Sequence, residues 1–232
     1  MSDAVLNIVI GLVTSIVSGG SVWAWKRAST TRLLHQKQAF LGLQPGVPCV
    51  IILNSHWQMP AVTDHSDVYA IIELAMLAEE AGCPFSLVAA DARELNGDRT
   101  ELSVGGLGSN QRNVEYVASH LPGVKVNPAG DFTVGEQRFV HEQGRRDHAL
   151  VAKFTPPQST QPVLVIMGQS SIANQAAVYL LKRDYRRLSK TVASVDRFCL
   201  MLRVDAADTY GYQAVELAAD LSAVAFQGRQ RR

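Results

Sequence analysis

The feature that most limits the fold is a repeated pairing of a short apolar run with a following stretch of helical periodicity. Val50-Ile51-Ile52-Leu53 precedes a helix predicted over residues 67–81. Its apolar residues Val68, Ile71, Ile72, Leu74, Ala75 and Leu77 keep helical spacing, and Gly82 closes it. Residues 85–90 and 102–104 read as the next two strands, with a helix over 110–121 behind them. Residues 163–167 are the most apolar strand and run through Gly168 into a long helix over 171–188. Residues 198–204 read as the last strand and 214–225 as the last helix. Apolar strands separated by helices belong to a sheet covered on both faces. The expected fold is therefore α/β, a Rossmann-like sandwich with a mostly parallel sheet. Short elements at 124–126, 132–134, 138–141 and 150–154 imply an antiparallel edge or an inserted β-ribbon, with 150–154 at the sheet's edge.

Ahead of that pattern, residues 4–25 carry no charge. As a helix they would span about 33 Å, enough for a hydrocarbon core. The start is acidic (Asp3), whereas Lys26, Arg27 and Arg32 follow the run, with Trp23 and Trp25 beside them. That charge order predicts one transmembrane helix over 1–26, a juxtamembrane helix or stalk over 27–46, and a cytoplasmic α/β domain over 47–232 held at the cell membrane. The competing reading is an amphipathic core helix, since Asn7, Thr14, Ser15, Ser18 and Ser21 weaken the spanner. Gly11, Ser15 and Gly19 form a small-residue stripe that lets membrane helices approach, which predicts a homo-oligomer; small residues are also simply common in such helices.

Composition narrows the function. A net charge of +1 excludes nucleic-acid binding by bulk electrostatics. Cys49, Cys83 and Cys199 form no C-x-x-C pair, so neither a disulfide framework nor a structural zinc site is expected, and a reducing compartment fits. In open α/β sheets, ligands bind beyond the carboxyl ends of the strands. Three such ends carry unusual residues. Gly105-Gly106-Leu107-Gly108-Ser109-Asn110 opens one helix, and Gly168-Gln169-Ser170-Ser171 opens another. Glycine permits close backbone approach, and helix N-termini favour anions. The competing reading is a pair of tight turns with N-caps. Gln111 stands where a third fingerprint glycine belongs and no Gly-Lys-Ser/Thr occurs, so no cofactor is expected.

The first strand ends in Asn54-Ser55-His56, with Thr63, Asp64, His65 and Asp67 close behind. These side chains suit a sugar or a base, or form a polar loop with a helix cap. His56, His65 and Asp64 lack further ligands at metal spacing, and a Ser55-His65-Asp64 relay has no supporting motif. Asp205, Asp208 and Tyr210 follow the last strand and either line the same face or cap a helix.

The strand ending in Gly-Gly-x-x-Ser-Asn, and the later strand whose Gly168 leads to Ala176-Ala177, resemble a group of bacterial α/β domains. Those domains occur behind helix-turn-helix or membrane segments. Leu107 departs from the proline frequent in that turn. By architecture the resemblance implies sensing: a membrane-anchored sensor or effector that binds a small anionic, nucleotide-like ligand and oligomerises, similar to antiphage effectors. The expected ligand residues are Asn54, Ser55, Gly105, Gly106, Gly108, Ser109, Asn110 and Gly168 to Ser171. Two rivals stand beside it: a hydrolase acting on a nucleotide or ester through Asp64, His65 or Asp67, and a ligand-free membrane scaffold.

Overall fold

The computed structural model describes residues 27–54, 63–90 and 97–228. The chain divides into two compact units, Met1–Lys37 and Gln38–Arg232. In the first, residues 27–37 are helical, and the helix, α1, continues to residue 41. Among the described residues no helix is long and apolar enough to cross a membrane. That finding corrects the transmembrane element of the expected fold and the single-pass membrane localisation derived from it. Residues 4–25 and the Gly11, Ser15, Gly19 stripe lie outside the described residues.

The second unit is built on a seven-stranded sheet. Its strands are β1 (Cys49–Leu53), β2 (Phe85–Ala89), β3 (Thr100–Val104), β7 (Arg146–Phe154), β8 (Val163–Gly168), β9 (Phe198–Asp205) and β10 (Val215–Asp220), in the order β10-β9-β7-β8-β3-β1-β2. Three short strands, β4 (Val124–Val126), β5 (Phe132–Val134) and β6 (Gln137–Phe139), form a separate antiparallel sheet, the inserted ribbon. The pairings β2-β1, β1-β3 and β3-β8 are parallel, whereas β8-β7, β7-β9 and β9-β10 are antiparallel. The sheet is thus mixed, not mostly parallel.

Two details explain the difference. The run at 150–154 is not an edge strand but the end of β7, which lies inside the sheet with eight of its nine residues buried. Its polar start, Arg146-Asp147-His148, conceals it in the sequence. After the short helix α5 (Ala207–Tyr210), the stretch 214–225 is not one helix: it makes the edge strand β10 and then a single turn, α6 (Ser222–Ala225).

Side-chain alternation splits the core into two layers. Ala149, Val151, Leu164, Ile166, Leu200 and Leu202 face α2 (His65–Glu80), α4 (Ser171–Thr191) and the end of α1. Leu150, Ala152, Val165, Met167 and Met201 face α3 (Gln111–His120), the inserted ribbon and α6. The chain therefore leaves β1 toward one face, β3 toward the other, and β8 back toward the first. Divergent loops of this kind open a crevice at the carboxyl end of a sheet.

Phe40, Leu41 and Leu43 belong to this core. Phe40 stacks on Phe198 with ring centroids 4.9 Å apart. Lys153, 3% exposed, reaches the last turn of α1, where its Nζ donates to the Ala39 carbonyl. A cation there satisfies a terminal carbonyl and opposes the negative end of the helix. Burial lowers the Lys153 pKa to about 8. The unfolded chain then binds the extra proton between about pH 8 and the ordinary lysine value, so this residue's contribution to stability rises with pH across that window. We expect the urea stability of wild type minus that of Lys153→Met to increase from pH 8 to pH 10. A constant difference would show that Lys153 is not buried as a charged group.

Candidate ligand-binding cleft

The crevice is shaped by asparagines. Asn110 caps α3: its Oδ1 accepts from the Asn113 N–H (3.1 Å), while its Nδ2 donates to the Val104 carbonyl (2.8 Å) and to Ser103 Oγ (3.1 Å). Asn113, fully buried, donates from Nδ2 to the carbonyls of Gly105 (2.9 Å) and Ile166 (3.0 Å), so one amide ties the end of β3 to β8. At the end of β8, Asn174 Oδ1 accepts from the Gly168 N–H (2.7 Å) and its Nδ2 donates to Asp67 Oδ1 (2.8 Å). The other Asp67 oxygen accepts from Asn54 Nδ2 (2.5 Å). One buried polar chain thus joins β1, α2, α4 and β8. Burial raises the Asp67 carboxyl pKa, an effect that outweighs the two amide hydrogen bonds.

The glycines serve this packing directly. A Cβ on Gly106 would stand 2.7 Å from the Gly168 carbonyl oxygen. Gly105 has φ +141°, and a Cβ there would stand 2.7 Å from the Cβ atoms of both Asn54 and Asn110. The two turns are pressed together at Gly106, so that glycine is explained by contact between turns, and Gly105 by its contacts with Asn54 and Asn110, without an approaching ligand.

A second cluster fastens the start of α4 to β7 and the ribbon. Ser170 caps the helix by accepting from the Ala173 N–H (3.2 Å), and its hydroxyl donates to Asp147 Oδ2 (2.8 Å). Asp147 is buried, and His141 Nε2 lies 2.8 Å from its other oxygen. Gln169 donates to the carbonyls of Gly130 (3.1 Å) and Phe139 (3.0 Å) and accepts from the His148 N–H (2.8 Å). Its amide is therefore occupied in holding the ribbon against the sheet. Burial, its largest cause, lowers the pKa of His148.

Between these clusters lies a cleft of about 350 Å³. Its size is at the small end of ligand sites. One wall is the ribbon side, with Val126, Pro128, Ala129 and Phe132. The other is polar, with Ser170, Ser171 and Asn174 from the start of α4 and Asp64 and Asp67 from the start of α2. Gly106, Leu107, Gly108 and Ser109 line the β3 turn, and Gly168 and Gln169 complete the floor. Among the described residues, Asp64 and Asp67 are the only acidic or basic side chains in the lining.

Of the sequence-predicted residues, Gly106, Gly108, Ser109, Gly168, Gln169, Ser170 and Ser171 line this cleft. Asn54, Gly105 and Asn110 are not among its lining residues and brace it instead. Ser55 and His56 lie outside the described residues. The sequence reading missed Asn113, Asn174, Asp147 and His141. Among the described residues no cluster of three or more His, Cys, Asp or Glu is placed to hold a metal. Compared with protein-family models and with curated proteins, the chain matches none.

The contact between the turns gives a direct test. Gly106→Ala drives a methyl group against the Gly168 carbonyl, and overpacking of this kind costs about 1–3 kcal/mol. A lowered urea midpoint is expected; wild-type stability would mean that the turns are not in contact.

Proposed function

We propose that the cleft binds a small nucleotide-like ligand through a single phosphate and a ribose. The observation that supports this most is the junction, in one small cleft, of the first turn of a 21-residue helix with the carboxylates of α2. The helix start presents N–H groups without intrahelical partners and a positive dipole end, the arrangement that favours a phosphate. Asp64 and Asp67 disfavour a polyphosphate, because among the described residues no lysine or arginine lines the cleft to balance it. A carboxylate accepting from sugar hydroxyls is a well-matched partner for ribose. The Val126, Pro128 and Ala129 wall offers apolar surface to the flat face of a base.

A second reading, hydrolysis of such a ligand, has one observation in its favour. Asp67 is a buried carboxyl with a raised pKa on a cleft wall, the condition in which a carboxyl retains a proton to donate. Both its oxygens are already engaged by asparagine amides, which favours binding over turnover.

The binding reading is tested at Ser171, the first residue of α4. Proline is tolerated at that helical position, and the preceding Ser170 has extended backbone (φ −138°, ψ 169°) that proline accepts. Ser171→Pro removes one N–H while retaining the helix. Calorimetric titration with ribose 5-phosphate and with nucleoside monophosphates is expected to show binding to wild type and roughly ten-fold or greater weakening in Ser171→Pro. Ser171→Ala, which keeps the N–H, is expected to bind nearly as wild type. Equal affinity for wild type and Ser171→Pro would remove the helix start from the site.

A further inference from the structure

The cleft does not take up the whole carboxyl end of the sheet. β7 is antiparallel to both β8 and β9, so β9 also ends there, at Asp205. The chain then passes through α5 and a single 3₁₀ turn, Gly211–Gln213, before β10 begins. The acidic residues of this connection serve the framework. Asp205 pairs with Arg146 (3.0 Å) and Arg203 (2.8 Å), and Asp208 packs against Gly144, where a Cβ would stand 2.1 Å from its Oδ2. The 3₁₀ turn meets the starts of α2 and α4 around a second cavity, of about 500 Å³. That size falls within the roughly 300–1,000 Å³ of small-molecule sites.

The two cavities draw on different residues of the same two helix starts. On α2, Asp64 and Asp67 line the cleft, whereas His65, Ser66 and Tyr69 line the second cavity. On α4, Ser171 and Asn174 line the cleft, whereas Ile172 and Gln175 line the second cavity. Their chemistry differs accordingly. Among the described residues, no Asp, Glu, Lys or Arg lines the second cavity. Aromatic rings take their place: Tyr69, 46% exposed, meets the His65 ring edge-on at 4.6 Å, and Tyr212 is steadied by an edge-to-face contact with Tyr179 at 5.2 Å. Gly211 brings bare backbone to the wall at φ +64°, where a Cβ would touch nothing. Ser66 and Gln175 supply polar groups, and among the described residues neither side chain has a hydrogen-bond partner.

We propose that this second cavity binds a nucleobase-type heteroaromatic ring, stacked against Tyr69 and hydrogen-bonded by Gln175. A base offers a π-face to a phenol ring, and such stacking requires no charge on either partner. Its edge carries donors and acceptors side by side, and a glutamine amide, which both donates and accepts, matches that pattern. A phosphate finds no lysine or arginine here, so the ring rather than an anion is what the lining favours. The site is separate from the one that receives a phosphate, and the proposal does not rest on that reading.

The proposal is tested on the full chain by calorimetric titration with adenosine, inosine, cytidine and uridine. These nucleosides lack the phosphate on which the cleft reading depends, so the two readings succeed or fail separately. Saturable binding of at least one nucleoside to wild type is expected. Tyr69→Ala is expected to weaken it about ten-fold or more, and Tyr69→Phe, which keeps the ring, to leave it near wild type. Because Tyr69 is half-exposed, Tyr69→Ala is expected to keep the wild-type urea transition. Gln175→Leu retains the side-chain bulk without the amide and is expected to weaken binding several-fold. Absence of saturable binding by all four nucleosides up to about 5 mM, weaker than any useful affinity, would overturn the proposal. Nucleoside affinity unchanged in folded Tyr69→Ala, or in folded Gln175→Leu, would overturn it as well.

Discussion

The structure depends on the fixing of strand ends by buried side-chain amides. Where β3 and β8 stop, the Gly105 carbonyl and the Gly168 N–H are buried, and leaving them unpaired would cost free energy. Asn113 answers for Gly105 and adds a second donor to the Ile166 carbonyl, which already accepts from the Gly105 N–H, and Asn174 answers for Gly168. Asparagine suits the task because one planar group both donates and accepts. With the ends pinned, the chain can leave β3 toward one face and β8 toward the other at close quarters, with Gly106 against Gly168. The cleft is the space those two departures leave.

That origin sets what the cleft admits. A buried polar network of this kind is rigid when satisfied and costly when broken. Asp67 shows both aspects: it is desolvated, with a raised carboxyl pKa, and held by two amides, Asn54 at the end of β1 and Asn174 in the first turn of α4. The cleft is therefore largely preformed. Under the proposed binding function, its acidic side chains and its helix start favour a modest anion attached to a hydroxyl-bearing body. The inserted ribbon, fastened through Gln169 and the Ser170–Asp147–His141 cluster, gives the cleft its apolar wall.

The strands apolar on both faces were legible in the sequence, and so was the position of the two glycine turns at strand ends. The roles of their glycines were not, because Gly106 and Gly168 meet only in the fold. Asn113 and Asn174 look like ordinary polar residues inside helices, and nothing in helical periodicity marks them as ties to a strand end. Asp147 and His148 break the apolar pattern of β7, which gives its end at 150–154 the look of an edge strand, although both are buried against partners from the β8–α4 turn. The Ala and Leu of β10 suit a helix, yet pairing with β9 overrides that preference. Asp67 stood out as an acid; its two amide partners, 13 and 107 residues away, could not be seen.

The central claim is that the start of α4 receives a phosphate inside this cleft. The most direct measurement is the two-dimensional amide spectrum of the labelled protein during titration with ribose 5-phosphate. The account predicts saturable shifts for the N–H groups of Ser171 and Ile172, with smaller ones at Leu107 and Gly108, and none along β2 or β10. Saturable shifts confined to other surfaces, with the first turn of α4 unmoved, would contradict it.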